Sequence, residues 1–351
     1  MILVTGGAGY IGTRLVPALL ESGARIRVVD TLWFGKSLPA NPRLEVIQAD
    51  LADFDRAWLE DVDAIIHLAG LSGDACSELA PELSVGANIT ATARMAEAAA
   101  REARRRNRLI RCIFASTCSV YSGAGNSPNG GCYLLTEETL PAPMTTYARS
   151  KRAAELELLS VGADNPLFCP AILRMGTLFG ASPRMRFDLV VNTFTLDAWR
   201  KRVLTLEGAH GVWRPLLHVD DAADAYISLL SAPLERMRNQ VFNLVGCNYR
   251  IADLAFELAA AFQEYFHVSI EIERNELADN GGRSYRTDGR SIAQGLGICP
   301  NRAIVPAAID IWNALERGDF GVTPQDNARY FNIRWLKNVL VNYSAVVEAA
   351  I

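Results

Sequence analysis

A phenol and an ammonium group lie four residues apart at Tyr147 and Lys151, which puts them on one face if this segment is helical. A tyrosine can act as a base near neutral pH only if its phenolate is stabilised, and a nearby lysine cation does that. Hydroxyl groups occur earlier, in residues 116–121, directly after an apolar stretch. One of these hydroxyls could hydrogen-bond a reacting hydroxyl or carbonyl group and share its proton with Tyr147. Because a Y-x-x-x-K spacing is common, its meaning depends on the elements that position it.

A glycine-rich segment at residues 5–12, TGGAGYIG, follows the apolar run at residues 1–4 and precedes an amphipathic stretch. This order predicts a strand that turns through glycines into a helix, as in folds that bind dinucleotides. In such a turn Gly7 lets the chain turn tightly, Gly9 lets the backbone approach a pyrophosphate, and Gly12 lets the helix pack on the strand. The helix N-terminus then offers free N–H groups to the phosphates.

An acidic residue, Asp30, ends the next predicted strand about 20 residues further on, where it would accept hydrogen bonds from a ribose 2′-OH. A carboxylate at this position repels a 2′-phosphate, and no arginine follows in residues 31–34. The sequence therefore favours NAD over NADP. Lys36 is a flexible cation that keeps NADP open as an alternative.

Strand patterns alternate with helical patterns through the first half of the chain, which predicts a parallel sheet covered on both faces. The strand patterns lie at residues 25–30, 44–47, 64–70, 110–115 and 168–174, with a returning strand at 241–245 and a long helix that starts at Asn88. Residues 122–131 are rich in Gly, Ser, Asn and Pro and read as a surface loop.

The expected fold class is α/β, a doubly wound Rossmann sheet with a smaller mixed α/β C-terminal substrate domain. We assign residues 1–180, with return segments near 218–246, to the NAD-binding domain. Residues 181–217 and 247–351 lack the strand–helix rhythm and are assigned to the substrate-binding subdomain.

Composition describes an ordinary globular protein, with 351 residues, 50% hydrophobic, 21% charged and a net charge of −4. Neither this charge nor any apolar run predicts binding to nucleic acid or to a membrane. A basic cluster in residues 101–108 ends a helical pattern, where cations suit the helix dipole. The seven scattered cysteines and the start of the chain inside a strand predict reduced thiols, no metal site and a cytoplasmic enzyme.

In their order, these features resemble the extended short-chain dehydrogenases/reductases of the NAD-dependent epimerase/dehydratase family, which act mostly on nucleotide sugars. The resemblance runs from residue 1 to about residue 300. Its motifs are the glycine loop, Asp30, Asp50-Leu51, His67-Leu68-Ala69-Gly70, Asn88, residues 116–121, Tyr147 with Lys151, Leu173-Arg174 with Phe179-Gly180, and Arg214 with residues 218–221.

The resemblance implies a role for each matching residue. Thr117, Tyr147 and Lys151 would be the catalytic residues, with Tyr147 as the base and Lys151 on the nicotinamide ribose. The contacts to NAD would come from Gly6, Gly9, Tyr10, Ile11, Gly12, Asp30, Asp50, Leu51, Leu68, Ala69, Gly70, Asn88, Tyr147 and Lys151. A homodimer built from the helices that hold Asn88 and Tyr147 is also implied.

The same resemblance suggests where a nucleotide sugar would lie. Arg214 matches the arginine that holds the substrate diphosphate, and a guanidinium pairs well with phosphate. The complete expected substrate set is Thr117, Ser119, Thr177, Asn192, Arg214 and Arg286. Residues 183–189 hold two arginines near the expected cleft and read as a specificity loop or as a solvated loop. His218 reads as a structural histidine at a strand-to-helix junction.

Two departures from the family pattern narrow the reaction. In the 4,6-dehydratases an Asp-Glu pair follows the catalytic threonine, whereas Cys118 and Ser119 stand there in this chain, and neither is a suitable acid near pH 7. Thr177 replaces an asparagine that many members use to bind substrate. The expected activity is epimerisation at C4 through a transient keto-sugar. The alternatives are a net oxidoreductase or dehydratase on a nucleotide-linked sugar, and a non-catalytic nucleotide-binding protein.

Overall fold

The computed structural model describes residues 1–125, 132–208, 211–275 and 283–348. The predicted loop at 122–131 therefore lies partly outside the described residues. The strands in chain order are β1 (Ile2–Thr5), β2 (Ile26–Asp30), β3 (Leu44–Gln48), β4 (Ala64–His67), β5 (Ile110–Thr117), β6 (Leu134–Leu135), β7 (Phe168–Met175), β8 (Thr177–Phe179), β9 (Val203–Glu207), β10 (Trp213–His218), β11 (Gln240–Leu244), β12 (Cys247–Arg250), β13 (Glu271–Asn275) and β14 (Arg286–Thr287).

The α-helices are α1 (Gly12–Glu21), α2 (Asp74–Leu79), α3 (Pro81–Val85), α4 (Ala91–Arg106), α5 (Thr146–Asp164), α6 (Val190–Lys201), α7 (Val219–Ser231), α8 (Leu234–Met237), α9 (Ile251–Phe266), α10 (Arg290–Leu296), α11 (Ile304–Glu316) and α12 (Asn332–Glu348). Within the described ranges, no helix has the length and apolarity needed to cross a membrane.

Seven strands form one parallel sheet in the order β11-β7-β5-β4-β1-β2-β3. The chain builds outward from β1 to β3 and then returns to build β4, β5, β7 and β11 on the other side. The strand order therefore reverses between β1 and β4, and in doubly wound sheets ligands bind in this crevice at the carboxyl ends of the strands. The predicted doubly wound Rossmann sheet is confirmed.

Helices cover both faces of this sheet because successive residues of a strand point to opposite sides. Val4 and Val28 pack with Leu15 in a core under α1 and α7, which contact each other. Leu3 and Ile65 point the other way and pack into a second core under α4 and α5. Burial on both faces explains why these strands read as continuous apolar runs.

Three small sheets lie beside the large one and pair β8 with β10 and β12, β9 with β13, and β6 with β14. A third core joins the first two of these sheets to helices, with Phe179 and Phe194 packed among residues of α9 and α11 such as Leu258 and Trp312. The mixed pairing of β10, parallel to β8 and antiparallel to β12, matches the expected mixed α/β part of the fold.

Two element boundaries differ from the sequence prediction. The strand expected at 64–70 ends at His67, because the chain leaves the sheet there and Gly70 adopts a positive φ of 147°. The helix expected to start at Asn88 begins as α4 at Ala91, after a π-helical turn at Gly86–Thr90. Such turns are frequent at functional sites, and this one carries Asn88 beside the cavity described next.

Candidate active site

A cavity of about 520 Å³ opens at the carboxyl ends of β1, β4 and β5, at the point where the strand order reverses. It begins at the glycine loop and extends past Tyr147 to Thr177. Of the expected site residues, it is lined by Gly6, Gly9, Tyr10, Ile11, Gly12, Asp30, Asp50, Leu51, Leu68, Ala69, Gly70, Thr117, Ser119, Tyr147, Lys151 and Thr177. The fold thus gathers side chains from segments more than 170 residues apart into one cleft.

The glycine loop departs from the sequence prediction in one detail. The tight turn is made by Gly6, whose φ is 71°, and a Cβ on Gly6 would lie 2.6 Å from the backbone nitrogen of Ala69. The assignment of the turn to Gly7 was wrong, since Gly7 instead makes room for the Val28 side chain. A Cβ on Gly12 would overlap the carbonyl group of Gly7, so helix α1 can start this close to β1 only with glycine there.

Asp30 ends β2 at the edge of the cavity, as expected. Its Oδ2 accepts a hydrogen bond from the Ala8 N–H at 2.9 Å, and its Oδ1 accepts one from the Leu32 N–H at 2.8 Å. Burial raises the pKa of Asp30 above its usual value, and the two N–H donors oppose that rise. Each carboxylate oxygen keeps a lone pair for a ribose hydroxyl, because a carboxylate has about four acceptor positions.

Asn88 does not line the cavity but fixes the loop that does. Its Oδ1 accepts from the Leu71 N–H at 2.8 Å, and its Nδ2 donates to the Leu71 carbonyl at 3.1 Å and to the Ser150 hydroxyl at 2.9 Å. Asn88 thereby joins the loop after β4 to helix α5, which carries Tyr147. The resemblance implied a direct contact between Asn88 and the cofactor, and that contact stays a prediction.

Tyr147 and Lys151 lie on helix α5 and both line the cavity, as their spacing predicted. The side chains of Thr117 and Ser72, which also line the cavity, act to lower the pKa of Tyr147. Burial raises the pKa of Tyr147 to about 12, and the Arg186 guanidinium is the strongest influence that lowers it. Burial also lowers the pKa of Lys151 to about 7, and its ammonium lies 4.2 Å from the centre of the Phe114 ring.

Arg186 was not singled out as a site residue, although the run at 183–189 was read as a possible specificity loop. Its guanidinium binds Asp188 through two hydrogen bonds of 2.9 and 2.8 Å, and its Nη1 donates to Ser72 Oγ at 3.0 Å. Arg186, Ser72 and Tyr147 all line the cavity, and the charge of the arginine acts on the phenol. No local pattern joins Ser72 to Arg186, which lie 114 residues apart.

A buried ion pair supports the site from behind. Glu155, one turn after Lys151 on α5, accepts hydrogen bonds from Arg174 Nε at 2.9 Å and Nη2 at 2.7 Å. The Ser116 hydroxyl donates to the same carboxylate at 2.5 Å, and Arg174 Nη1 donates to the Tyr121 hydroxyl at 2.6 Å. This network clamps α5 to the ends of β5 and β7.

Cys118 and Ser119 occupy the positions where an acid pair was expected in a dehydratase. Cys118 is buried, its thiol donates to the Arg174 carbonyl at 3.1 Å, and burial raises its pKa to about 12. Ser119 faces the cavity and hydrogen-bonds the Tyr285 hydroxyl at 3.1 Å. Cys118 is therefore a small packed side chain, and Ser119 is a neutral hydroxyl available to a ligand.

Three of the expected substrate residues are not among those that line the cavity. Asn192 is fully buried, and its amide is used by Tyr10, Gly180 and the Arg186 carbonyl. Arg214 lies behind Tyr285, with its guanidinium 5.5 Å from that ring.

Arg286 is the third, and it donates to the Cys132 carbonyl and stacks on Trp213 at 5.0 Å. His218 is a structural residue, since its Nδ1 accepts from the Asp220 N–H at 3.1 Å and caps α7.

The cavity fits a nicotinamide dinucleotide on three observations. The backbone around Gly6 and Gly12 leaves no room for a Cβ, as a phosphate cradle requires. The N-terminus of α1 faces the cavity beside Gly9. Asp30 keeps free acceptor positions in the same cavity that Lys151 lines. The residues present therefore match the expected group.

Comparison with known proteins agrees with this geometry. The model of the NAD dependent epimerase/dehydratase family matches residues 2–244. A UDP-glucose 4-epimerase of Neisseria meningitidis serogroup C is 31% identical over 193 residues, which cover 51% of this chain and 53% of that protein. The UDP-glucose 4-epimerase of Bacillus subtilis (strain 168) is 27% identical over 286 residues, with 73% and 81% covered.

Among solved structures, MoeE5 in complex with UDP-glucuronic acid and NAD superposes with a TM-score of 0.76 at 25% identity, covering 90% of this chain and 99% of that one. The chain spans about half the length of the first curated relatives that it matches.

Proposed function

The chain belongs to the NAD-dependent epimerase/dehydratase family, and we propose that it is a nucleotide-sugar 4-epimerase that works with NAD. The observation that carries this proposal is that Thr117, Tyr147 and Lys151 line one cavity that starts at the glycine loop. The similarity to UDP-sugar 4-epimerases supports the choice of C4.

The cofactor is proposed to lie along the cavity, with its adenosine ribose at Asp30 and its nicotinamide near Lys151. When bound, it supplies a hydride acceptor and donor. Tyr147, as the phenolate, takes the proton from a sugar hydroxyl group and later returns it. Thr117 holds that oxygen with its hydroxyl, because it lines the same cavity as the phenol. Epimerisation follows if the keto-sugar turns over in the cavity before the hydride returns to its other face.

Two cations stabilise the phenolate in this proposal. Lys151 follows one helical turn after Tyr147, and its pKa of about 7 leaves part of it charged at neutral pH. Arg186 stays charged, because burial is outweighed by the carboxylate of Asp188 and the pKa of the guanidinium remains high. A permanent cation beside the phenol lowers the energy needed to ionise it.

Elimination of water is disfavoured by the carboxylates near the phenol. Burial acts to raise the pKa of Asp188, but the Arg186 guanidinium more than offsets this effect. The pKa of Asp188 therefore lies below its usual value. Asp74 accepts from the Thr145 hydroxyl at 2.7 Å and pairs with Arg283 at 2.5 Å. With its pKa lowered in this way, the Asp188 carboxylate does not donate a proton readily at neutral pH, so it is a poor general acid for dehydration.

The substrate contacts are proposed on the same geometry. Ser119 and Thr177 would bind sugar hydroxyls from the cavity wall. Arg214 would hold the diphosphate from behind Tyr285 if that ring moves aside. Asn192 and Arg286 would act indirectly, through the segments whose backbone they hold. Assembly as a homodimer through α4 and α5 is part of the proposal and is measured by light scattering.

The test is incubation of the protein with a panel of UDP-sugars and substoichiometric NAD⁺, followed by mass spectrometry and NMR. A product of unchanged mass with inversion at C4 supports the proposal. Inversion at another carbon would refute the C4 assignment, and loss of water would identify a dehydratase. Turnover that stops when the NAD⁺ is used up would identify a net oxidoreductase.

A further inference from the structure

Arg184 is a buried cation whose hydrogen-bonding capacity is only partly used. Its side chain lines the cavity, and the residue is 4% exposed. The guanidinium stacks on the Phe34 ring at 3.7 Å, and one Nη donates to Asn332 Oδ1. Its Nε has no hydrogen-bond partner within the described segments of the chain. A buried donor of this kind is costly unless an acceptor reaches it.

The segment that carries Arg184 is tied to the start of helix α1. Ser182 Oγ donates to the Tyr10 carbonyl at 2.9 Å and lies 2.8 Å from Thr13 Oγ1. The Arg184 N–H approaches the same Thr13 hydroxyl at 3.4 Å. The segment of Arg184 is therefore anchored beside the glycine loop, and its guanidinium is close enough to Asp30 that the two side chains influence each other's pKa.

The local charge balance also favours an anion. Arg184 and Arg186 both line the cavity, whereas the carboxylate of Asp188 is already bound bidentately by Arg186. Burial, followed by repulsion from Arg186, lowers the pKa of Arg184 to about 9. An unpaired guanidinium in such a place gains most from a group with several acceptor oxygens, which is the chemistry of a phosphate.

We propose that Arg184 binds the diphosphate of the dinucleotide, with its unpaired Nε as a donor. This inference rests on the proposed cofactor. The adenosine 2′-phosphate of NADP is excluded as the target because the carboxylate of Asp30 lies at the ribose position. The substrate diphosphate is excluded because Arg184 stacks on Phe34, in the loop that follows Asp30.

The first turn of helix α12 holds this cation in place. Asn332 binds Arg184 through its Oδ1 and the Ser72 carbonyl through its Nδ2 at 3.2 Å. Trp335, one turn along, packs against Phe34 with ring centres 5.9 Å apart. The geometry gives α12 a role in cofactor binding, since it orients the guanidinium and closes one wall of the cavity.

The test compares the binding of adenosine, ADP, NAD⁺ and UDP to the cofactor-free protein by calorimetry. For Arg184→Met we expect the affinity for ADP and NAD⁺ to fall about 10- to 100-fold, which is the range for a lost charge-assisted hydrogen bond. Adenosine and UDP should bind within about twofold of the wild type, a range set by the scatter of such measurements. Arg184→Lys should keep part of the affinity for ADP and NAD⁺ that Arg184→Met loses. Lysine keeps the positive charge but lacks the forked arrangement of N–H donors of the guanidinium.

Arg329→Met is the matched control, because this exposed arginine donates to the Phe34 carbonyl and is not among the cavity-lining residues. Asn332→Leu keeps the Arg184 cation but removes the hydrogen bond that orients it. We therefore expect a smaller loss of affinity than for Arg184→Met, again confined to the phosphate-bearing ligands ADP and NAD⁺. Equal losses for adenosine and ADP, a loss confined to UDP, or no loss at all would each overturn the inference. If the wild type binds NAD⁺ without epimerising any sugar, only the proposed reaction fails.

Discussion

The buried pair of Glu155 and Arg174 allows a quantitative test of how the site is supported. Replacing Glu155 with leucine removes the acceptor of two bonds from the Arg174 guanidinium, of one from Arg152 and of one from the Ser116 hydroxyl. Both partners are almost fully buried, at 0% and 3% side-chain exposure, so water cannot replace the carboxylate. Breaking a buried pair by removing one partner costs about 3–5 kcal/mol, and we expect that loss in the free energy of unfolding.

The assay is urea unfolding of the cofactor-free protein at pH 7, followed by circular dichroism. The double variant Glu155→Leu/Arg174→Met replaces both charges with apolar groups of similar size, so it should recover most of the loss and lie within about 2 kcal/mol of the wild type. A cost below about 1 kcal/mol for the single variant would show that water or a neighbour compensates the guanidinium. A double variant that is less stable than the single one would also refute the reasoning.

Three further outcomes are expected. Tyr147→Phe should abolish turnover and leave NAD bound, because it removes only the hydroxyl that transfers the proton; turnover and retained NAD are measured on one preparation. Lys151→Met should change how the free energy of unfolding depends on pH. Burial lowers the pKa of Lys151 to about 7 in the folded chain. Between about pH 7 and 10 the unfolded chain therefore binds a proton that the folded chain does not. In unfolding experiments, the wild type should therefore gain about 1.4 kcal/mol per pH unit relative to the variant in this window, and lose that gain as pH falls to 7. Gly12→Ala should lower the melting temperature and weaken NAD binding, because the new Cβ meets backbone that cannot move aside.

Each of these variants has a matched control. Tyr133→Phe alters an exposed phenol and should leave turnover unchanged. Lys201→Met removes a surface lysine paired with Asp197 and should not alter the pH slope. Gly295→Ala adds a Cβ where nothing lies within 4 Å and should be neutral or stabilising. Turnover by Tyr147→Phe would contradict the role of the phenol. A pH slope that both lysine variants share would contradict the argument from Lys151. A Gly12→Ala protein as stable as the Gly295→Ala control would contradict the argument from the backbone contact.

The features predicted correctly are those in which chemistry and local spacing coincide. Tyr147 and Lys151 are one helical turn apart, so their shared face follows from the sequence alone. The glycine loop and Asp30 each sit at the end of a strand, where apolar runs mark the boundary. In a parallel sheet such ends meet at one edge, which is why the position of the cleft could be predicted from the order of the elements.

The features that sequence reasoning missed depend on contacts between distant segments. Ser72 meets Arg186, and Asn332 meets Arg184 across 148 residues, without a periodic pattern on either side. Asn192 shows the converse, since its position in the chain suggested a substrate contact whereas its amide is turned into the protein. Side-chain direction of this kind is set by the packing of the third core, which local spacing does not encode.

The amide of Asn192 has a consequence for how this enzyme can be altered. The Asn192 amide hydrogen-bonds three separate segments. It bonds Tyr10 in the glycine loop, Gly180 after the end of β8, and the backbone carbonyl of Arg186, the arginine beside the phenol. The stretch from residue 180 to residue 192 therefore behaves as a single module together with the cofactor loop. A chimera designed to take its substrate preference from a relative must therefore include this whole stretch and a compatible residue at the position of Tyr10. Otherwise we expect the chimera to gain the new specificity but to bind the cofactor more weakly.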